Sequence, residues 1–202
     1  GSFYTFTHPE RAEALFRQTG AIIEGHFVLT SGRHAATYLE KFRVLQYPAA
    51  TSELVGFWAA RYRDADRRPT VDLVAGPTTG GIILAFETGR QLGVRAIFAE
   101  EVRDSEGSVR RAFRRGFAIR PGERVLLVDD VLTTGGSLVA MLPAVEEAGG
   151  EIVGRRRFCR RPERADVAAH RAKLPTPGPL AARAADLGPG RVSALCRGGS
   201  SR

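Results

Sequence analysis

In the middle of the chain, short apolar segments of strand length alternate with longer segments whose pattern of apolar and polar positions predicts helices. Mainly apolar runs of strand length stand at 71–75, 96–99 and 125–128, and another begins at 151–153. Helices are predicted before the run at 71–75 and after the runs at 71–75 and 125–128, and they end near residues 63, 92 and 148. Strands that alternate with helices imply a parallel sheet with right-handed crossovers. The predicted fold is therefore α/β, a parallel twisted sheet flanked by helices.

The first 47 residues follow a different pattern and predict a small N-terminal hood. Thr7, Pro9 and Glu10 fit the cap and first turn of a helix that would end at Gly20. Short segments with β-branched and aromatic residues follow, separated by turns, and predict strands at 21–23, 26–29 and 36–42. The predicted organisation is a hood over 1–47, a core over 48–154 and an atypical basic tail over 155–202.

A long polar segment, 100–121, interrupts the alternation of strands and helices. It is long for a connection inside a compact domain. One interpretation is a solvated β-hairpin, and the other is a mobile arm or lid that carries positive charge. The arginines in it are Arg110, Arg111, Arg114 and Arg115.

Composition excludes several classes of protein. The 202 residues are 43% hydrophobic and 26% charged, as in soluble globular proteins, and no apolar run reaches the length of a membrane span. Two cysteines are too few for a disulfide scaffold, and no secretory signal is evident, so we expect a cytoplasmic protein. The net charge of +8 lies in the tail, since residues 155–202 hold 12 basic and 3 acidic residues. The body is near neutral, which argues against nucleic acid as the main partner.

The segment that follows the strand at 125–128 has the composition of an anion site. Two carboxylates, Asp129 and Asp130, are followed by threonines, glycines and a serine, and then by a helix. Glycine backbone N–H groups, hydroxyls and a helix start suit a phosphate monoester. The carboxylates fit hydroxyl groups or Mg²⁺ instead. A phosphate together with vicinal hydroxyls indicates a ribose 5-phosphate. The loop at 76–81 alone is a weak signal, but beside the first loop it fits a diphosphate.

Residues 125–137 closely resemble the phosphoribosyl-pyrophosphate signature of type I phosphoribosyltransferases. Residues 20–45 are similar to the hood of the orotate phosphoribosyltransferase family, above all in the run Gly-His-Phe-x-Leu-x-Ser-Gly-Arg-His. Residues 76–85 resemble that family's pyrophosphate loop, and 100–117 resemble its catalytic loop. The resemblance covers about residues 8–154.

The resemblance implies a reaction that joins orotate to phosphoribosyl pyrophosphate, with Mg²⁺ as cofactor bound through the phosphates. Asp129 and Asp130 would hold the ribose hydroxyls, and the loop arginines would act on the pyrophosphate. The phosphoribosyl site would comprise Asp129, Asp130, Val131, Leu132, Thr133, Thr134, Gly135, Gly136 and Ser137. The pyrophosphate loop would be Gly76, Pro77, Thr78, Thr79, Gly80 and Gly81. The orotate site would include Thr133, Ser31, Gly32, Arg33 and Tyr38. The family also implies a homodimer in which loop 100–117 serves the partner's site.

The chain departs from the better-known bacterial pattern in two places. The pyrophosphate loop has no lysine, and the first half of the catalytic loop lacks a Lys-x-x-Lys-x-His run. Which loop arginine contacts the pyrophosphate is therefore open. Two alternatives also stay open, namely a phosphoribosyltransferase for another base and a non-catalytic regulator that senses phosphoribosyl pyrophosphate.

We predict that the tail from about residue 155 is translated in the wrong reading frame. Its arginines and Pro162 cannot form a buried central strand, and its Arg, Ala, Pro and Gly content is typical of GC-rich DNA read out of frame. Codons for 159–165 can be chosen so that reading one nucleotide later gives Val-Val-Asp-Arg-Ser-Gly-Arg. The same shift over 180–197 can give an ending similar to that of some family members.

Sequencing the encoding DNA tests this prediction. We expect codons that give both alternative peptides one nucleotide downstream, and a chain that is weakly active because it lacks a base-contacting arginine. Codons that do not give those peptides would contradict it and would leave a genuine basic extension.

Overall fold

The structure is a computed structural model that describes residues 8–28, 34–103, 107–132 and 136–160, and of some residues at the ends of these ranges only the backbone. The hood contains α1 (Pro9–Gln18), β1 (Ile22–Val28), β2 (His34–Leu39) and α2 (Lys41–Leu45). The core begins with α3 (Pro48–Ala59) and a short 3-10 turn (Ala60–Tyr62). It continues with β3 (Leu73–Pro77), α4 (Gly80–Leu92), β4 (Arg95–Arg103), β5 (Val109–Phe113), β6 (Arg124–Leu132), α5 (Gly136–Val139), α6 (Leu142–Glu147) and β7 (Glu151–Arg160).

Five strands form one sheet in the order β5-β4-β3-β6-β7. β3 is parallel to β4 and β6, and β6 is parallel to β7, whereas β5 returns antiparallel to β4. Helices flank this mostly parallel sheet, which confirms the predicted α/β class.

Apolar side chains cover both faces of the sheet. Val74 and Leu126 point to one face, where they join Phe16, Leu54 and Leu84 of the helices. On the opposite face the buried cluster consists of Leu73, Ala75, Ile97, Ala99, Ile119, Val125, Leu127, Leu138, Met141 and Val145. A strand that is buried on both faces needs apolar residues at every position, which is why β3 and residues 125–128 of β6 form continuous apolar runs in the sequence.

Helices α3 and α4 pack together on the hood side of the sheet. The buried indole Nε1 of Trp58 donates a hydrogen bond to the Thr88 hydroxyl at 3.1 Å. Gln91 of α4 also donates to the Ser52 carbonyl of α3 at 2.7 Å. These contacts fix α4, and α4 in turn fixes the loop that precedes it.

The hood differs from its prediction in two details. The segments predicted as separate strands at 21–23 and 26–29 form one strand, β1, whose pairing with β2 is irregular between Glu24 and Phe27. The strand predicted over 36–42 ends at Leu39 instead. The Glu40 carboxylate accepts a hydrogen bond from the Phe42 backbone N–H and starts α2, because a side-chain cap satisfies a backbone donor that a strand edge would not. Helix α1 ends at Gln18 with Thr19 as its C-cap, and the predicted terminator Gly20 follows with a φ of +67°, which suits glycine.

Residues 100–121 contain the predicted β-hairpin. β4 and β5 pair antiparallel, with Glu101 opposite Arg111. Residues 104–106 lie outside the described part of the chain, so the interpretation of this segment as a mobile lid stays a prediction.

Strand β7 continues to Arg160, six residues beyond the core boundary at 154 that the sequence predicts. β7 is the last strand in the described sheet order and pairs on one side with β6. This edge position accommodates arginines, since Arg155 is exposed and Arg156 lies over the Tyr62 ring at 5.2 Å. Residues 161–202 lie outside the described chain, and the reading-frame prediction therefore stays a prediction.

Candidate active site

The two strands that precede the predicted anion loops end at the same edge of the sheet. β3 and β6 are adjacent and parallel, so the segments after Pro77 and after Leu132 leave from the same edge. Ligands of open α/β sheets bind at the carboxyl ends of the strands, which is where both predicted anion loops lie.

Asp129 and Asp130 lie on β6 near this edge, and each is only 4% exposed. The Asp130 backbone N–H donates to the Asp129 carboxylate at 2.8 Å. Of the other predicted phosphate-site residues, Val131 and Leu132 end β6, while Gly136 and Ser137 begin α5. Thr133, Thr134 and Gly135 lie outside the described residues.

The loop at 76–81 packs directly against the acidic pair. A Cβ atom on Gly80 would overlap the Asp130 carboxylate, and one on Gly76 would overlap the Gly81 carbonyl. Glycine is therefore required at both positions by close approach. The Thr78 backbone N–H donates to the Ala99 carbonyl at 3.0 Å, which anchors the loop to β4.

A lysine that sequence reasoning missed completes one side of the site. Lys41, the first residue of α2, places its Nζ atom 2.9 Å and 2.8 Å from the two carboxylate oxygens of Asp130. The contact joins residues 89 positions apart, so local patterns could not reveal it. One signal was available, because Lys41 and Lys173 are the only lysines among the 30 basic residues.

Of the four predicted loop arginines, the structure brings one into contact with the loop at 76–81. Arg111 donates from Nη1 to the Thr78 hydroxyl at 2.8 Å, and its side chain is 13% exposed. Arg115 instead pairs with Glu100 at 2.7 Å and is largely exposed. Arg110 and Arg114 are also exposed.

The electrostatics of the acidic pair are unusual. Burial, and to a smaller extent the neighbouring Asp130 charge, raise the pKa of Asp129 to about 7, against the opposing effects of the Asp130 backbone N–H, Lys41 and Arg111. Two adjacent buried carboxylates cannot both ionise without compensation. The pair therefore favours partners that donate hydrogen bonds or carry positive charge.

The predicted base-facing residues are described only in part. Tyr38 lies on β2, with its ring centroid 5.6 Å from that of Phe27 on β1. Ser31, Gly32 and Arg33 lie outside the described residues. Tyr38 is thus held on the hood by an aromatic contact, and its proximity to a base stays a prediction.

At one edge of the sheet, the described residues offer two carboxylates that can accept hydrogen bonds from hydroxyl groups, a glycine-threonine loop and two cations. No cluster of three or more His, Cys, Asp or Glu side chains in the described ranges is arranged to hold a metal ion. Nor is any helix of the described chain long and apolar enough to cross a membrane. Such an arrangement can bind a phosphorylated sugar whose hydroxyls face the carboxylates.

Comparison with known proteins agrees with this chemistry. The family model of the phosphoribosyl transferase domain matches residues 44–173, which is more than half of the chain and extends past the boundary predicted at 154. The structure is similar to the crystal structure of orotate phosphoribosyltransferase from Aeropyrum pernix, with a TM-score of 0.59 and 25% sequence identity. The similarity covers 86% of this chain and 87% of that chain. A crystal structure of adenine phosphoribosyltransferase matches with a TM-score of 0.58 at 17% identity, which shows the shared fold alone.

Curated relatives are more similar in sequence. The orotate phosphoribosyltransferase of Chlorobaculum parvum is 46% identical over 141 residues, which cover 70% of this chain and 68% of that protein. The orotate phosphoribosyltransferase of Pelotomaculum thermopropionicum is also 46% identical over 141 residues, with 70% of each chain covered. The chain therefore belongs to the orotate phosphoribosyltransferases of the phosphoribosyltransferase family.

Proposed function

We infer that this chain transfers the phosphoribosyl group of phosphoribosyl pyrophosphate to orotate, giving orotidine 5′-phosphate and pyrophosphate. The observation that carries the inference is the buried Asp129–Asp130 pair packed against the glycine loop at 76–81. The similarity to orotate phosphoribosyltransferases supplies the identity of the base.

The acidic pair suits the sugar half of the reaction. Carboxylates accept hydrogen bonds from the 2′- and 3′-hydroxyls of a ribose, and these hydroxyls replace the water that burial has removed from the carboxylates. As the bond from C1 to pyrophosphate breaks, the ribose gains positive charge, which nearby carboxylates stabilise. Both functions require at least one ionised carboxylate, and Lys41 and Arg111 favour that state.

The loop at 76–81 and Arg111 suit the leaving group. The absence of side chains at Gly76 and Gly80 lets the loop fold tightly against itself and against Asp130, and backbone N–H groups of glycine-rich turns are suited to a diphosphate. The loop has no lysine, and Arg111 reaches Thr78 from β5. We propose that Arg111 supplies the positive charge that a loop lysine supplies in other family members.

Mg²⁺ is proposed as a partner of the substrate phosphates. The buried carboxylate oxygens at Asp129 and Asp130 are hard donors of the kind that Mg²⁺ prefers. Two carboxylates alone make an incomplete shell, which fits a metal that arrives with phosphoribosyl pyrophosphate. When bound, the ion neutralises charge that develops on the departing pyrophosphate.

A steady-state assay of phosphoribosyl transfer with orotate, uracil and hypoxanthine tests the proposed function. We expect Mg²⁺-dependent activity with orotate that exceeds activity with either other base. The Asp129→Asn/Asp130→Asn double variant should lose turnover while it keeps its fold by circular dichroism. The same assay is run on a second chain in which the reading frame is restored after residue 158. The absolute rates of the two chains are compared, and the base preference is measured in both. Preference for another base, or binding of phosphoribosyl pyrophosphate with no transfer in either chain, would sink the assignment.

Replacing the loop arginines one at a time tests the role of Arg111. Arg111→Ala should reduce turnover by a factor on the order of 10², which is typical for removal of one preorganised donor. Arg110→Ala and Arg114→Ala are matched controls on exposed positions, where stability changes stay within about ±0.5 kcal/mol. Wild-type turnover in Arg111→Ala, or an equal loss in the control variants, would contradict this role.

We also propose that the chain forms a homodimer. Ile83 and Phe86 lie one turn apart on the outer face of α4 and are exposed, and Phe42 is exposed on the neighbouring helix α2. Contiguous exposed apolar surface marks an interaction site in soluble proteins. The prediction that loop 100–117 serves the partner's site is retained. We add to it that Arg111, which belongs to this loop, contacts Thr78 of its own chain.

Sedimentation equilibrium at micromolar protein concentration tests the dimer. Wild type should sediment as a dimer, and Phe86→Glu should shift the population toward monomer, because a carboxylate cannot be buried there without a partner. Val139→Glu, at another exposed apolar position on α5, is the control and should leave the dimer intact. A monomeric wild type would refute the proposal.

A further inference from the structure

The ion pair between Lys41 and Asp130 creates a conflict inside the proposed site. Both Asp130 oxygens contact the Lys41 ammonium, at 2.8 Å and 2.9 Å. The proposed function assigns the same carboxylate to ribose hydroxyls. Lysine and ribose therefore compete for one set of acceptors.

We propose that Lys41 is an exchangeable counter-ion of Asp130, a positioning residue that pairs with the carboxylate in the empty site and yields it to the ribose hydroxyls. This proposal rests on the proposed function, because it requires a ribose at Asp130. It assigns to the hood a role in sugar binding in addition to the predicted role in base binding.

The residue type supports an exchangeable contact. An arginine fork binds a carboxylate bidentately with fixed geometry, whereas an ammonium is a point charge on a flexible stem. The chain uses arginine for 28 of its 30 basic residues, yet the cation on Asp130 is a lysine. A contact that must open in every catalytic cycle is better served by the weaker and more flexible partner.

The surroundings of the pair also favour exchange. The Asp130 side chain is 5% exposed and is packed against Gly80, so the carboxylate stays in place. The Lys41 side chain is 32% exposed and can move toward solvent. Lys41 begins α2 directly after β2, so its release frees a contact between the hood and the sheet.

The two lysines of the chain make the exchange measurable by amine labelling. In a Lys173→Arg background, Lys41 is the only lysine, and peptide mass spectrometry separates it from the N-terminal amine. Ribose 5-phosphate is the probe, because it supplies the phosphate and hydroxyls without permitting transfer. We expect slow acylation of Lys41 in the empty protein and an increase of about tenfold or more at saturation, a change that corresponds to about 1.4 kcal/mol. The Asp130→Asn variant should show the fast rate without ligand.

Calorimetric titration of the same samples separates two kinds of failure. No binding of ribose 5-phosphate would contradict the proposed function. Binding with an unchanged or slower acylation rate of Lys41 would overturn the exchange while leaving the function intact.

The Lys41→Arg variant provides a second measurement. If Lys41 must release Asp130 for ribose to bind, a guanidinium that binds Asp130 more tightly should raise the Kd for ribose 5-phosphate by about tenfold, although the charge is conserved. Arg43→Lys is the matched control, since Arg43 lies on the same helix and donates to the Gly20 carbonyl away from the acidic pair. A Lys41→Arg variant that binds like wild type would show that charge alone is required and would overturn the proposal.

Discussion

Two adjacent carboxylates buried on one strand of the sheet are the constraint on which the site depends. Asp129 and Asp130 are almost completely removed from water, and their mutual repulsion adds to the cost of burial. A purely structural sheet would gain stability from apolar residues at these positions. The chain instead places the Lys41 ammonium of α2 against Asp130 and brings Arg111 of the edge strand β5 close to the pair. A ligand that donates hydrogen bonds to the pair therefore offsets part of the cost of burying the two carboxylates.

The rigid part of the fold keeps this cost confined to one edge. β3 and β6 are buried on both faces, and α4 is held against α3 by the Trp58–Thr88 hydrogen bond. Because α4 is fixed, the loop before it can approach Asp130 so closely that a Cβ atom at Gly80 has no room. The same packing that stabilises the core therefore determines how closely the loop at 76–81 approaches Asp130.

The sequence predicted those parts of the structure whose causes are local. The apolar run at 125–128, the glycines at 76–81 and the end of α1 just before Gly20 each follow from a short pattern. The start of α2 was missed because residues 36–42 have strand-like composition, and one carboxylate, Glu40, decides the boundary. The contact of Lys41 was missed, and the choice of Arg111 among the loop arginines stayed open, for a different reason. These contacts join residues 89 and 33 positions apart, and only the folded sheet brings these residues together.

The division of charges between elements suggests how the site combines precision with turnover. The negative charges belong to β6, inside the rigid sheet, whereas the positive charges arrive from α2 of the hood and β5 of the hairpin. Fixed carboxylates define where a ribose must lie, because their oxygens do not need to reorganise. Cations on peripheral elements can instead be exchanged or reoriented as ligands enter and leave.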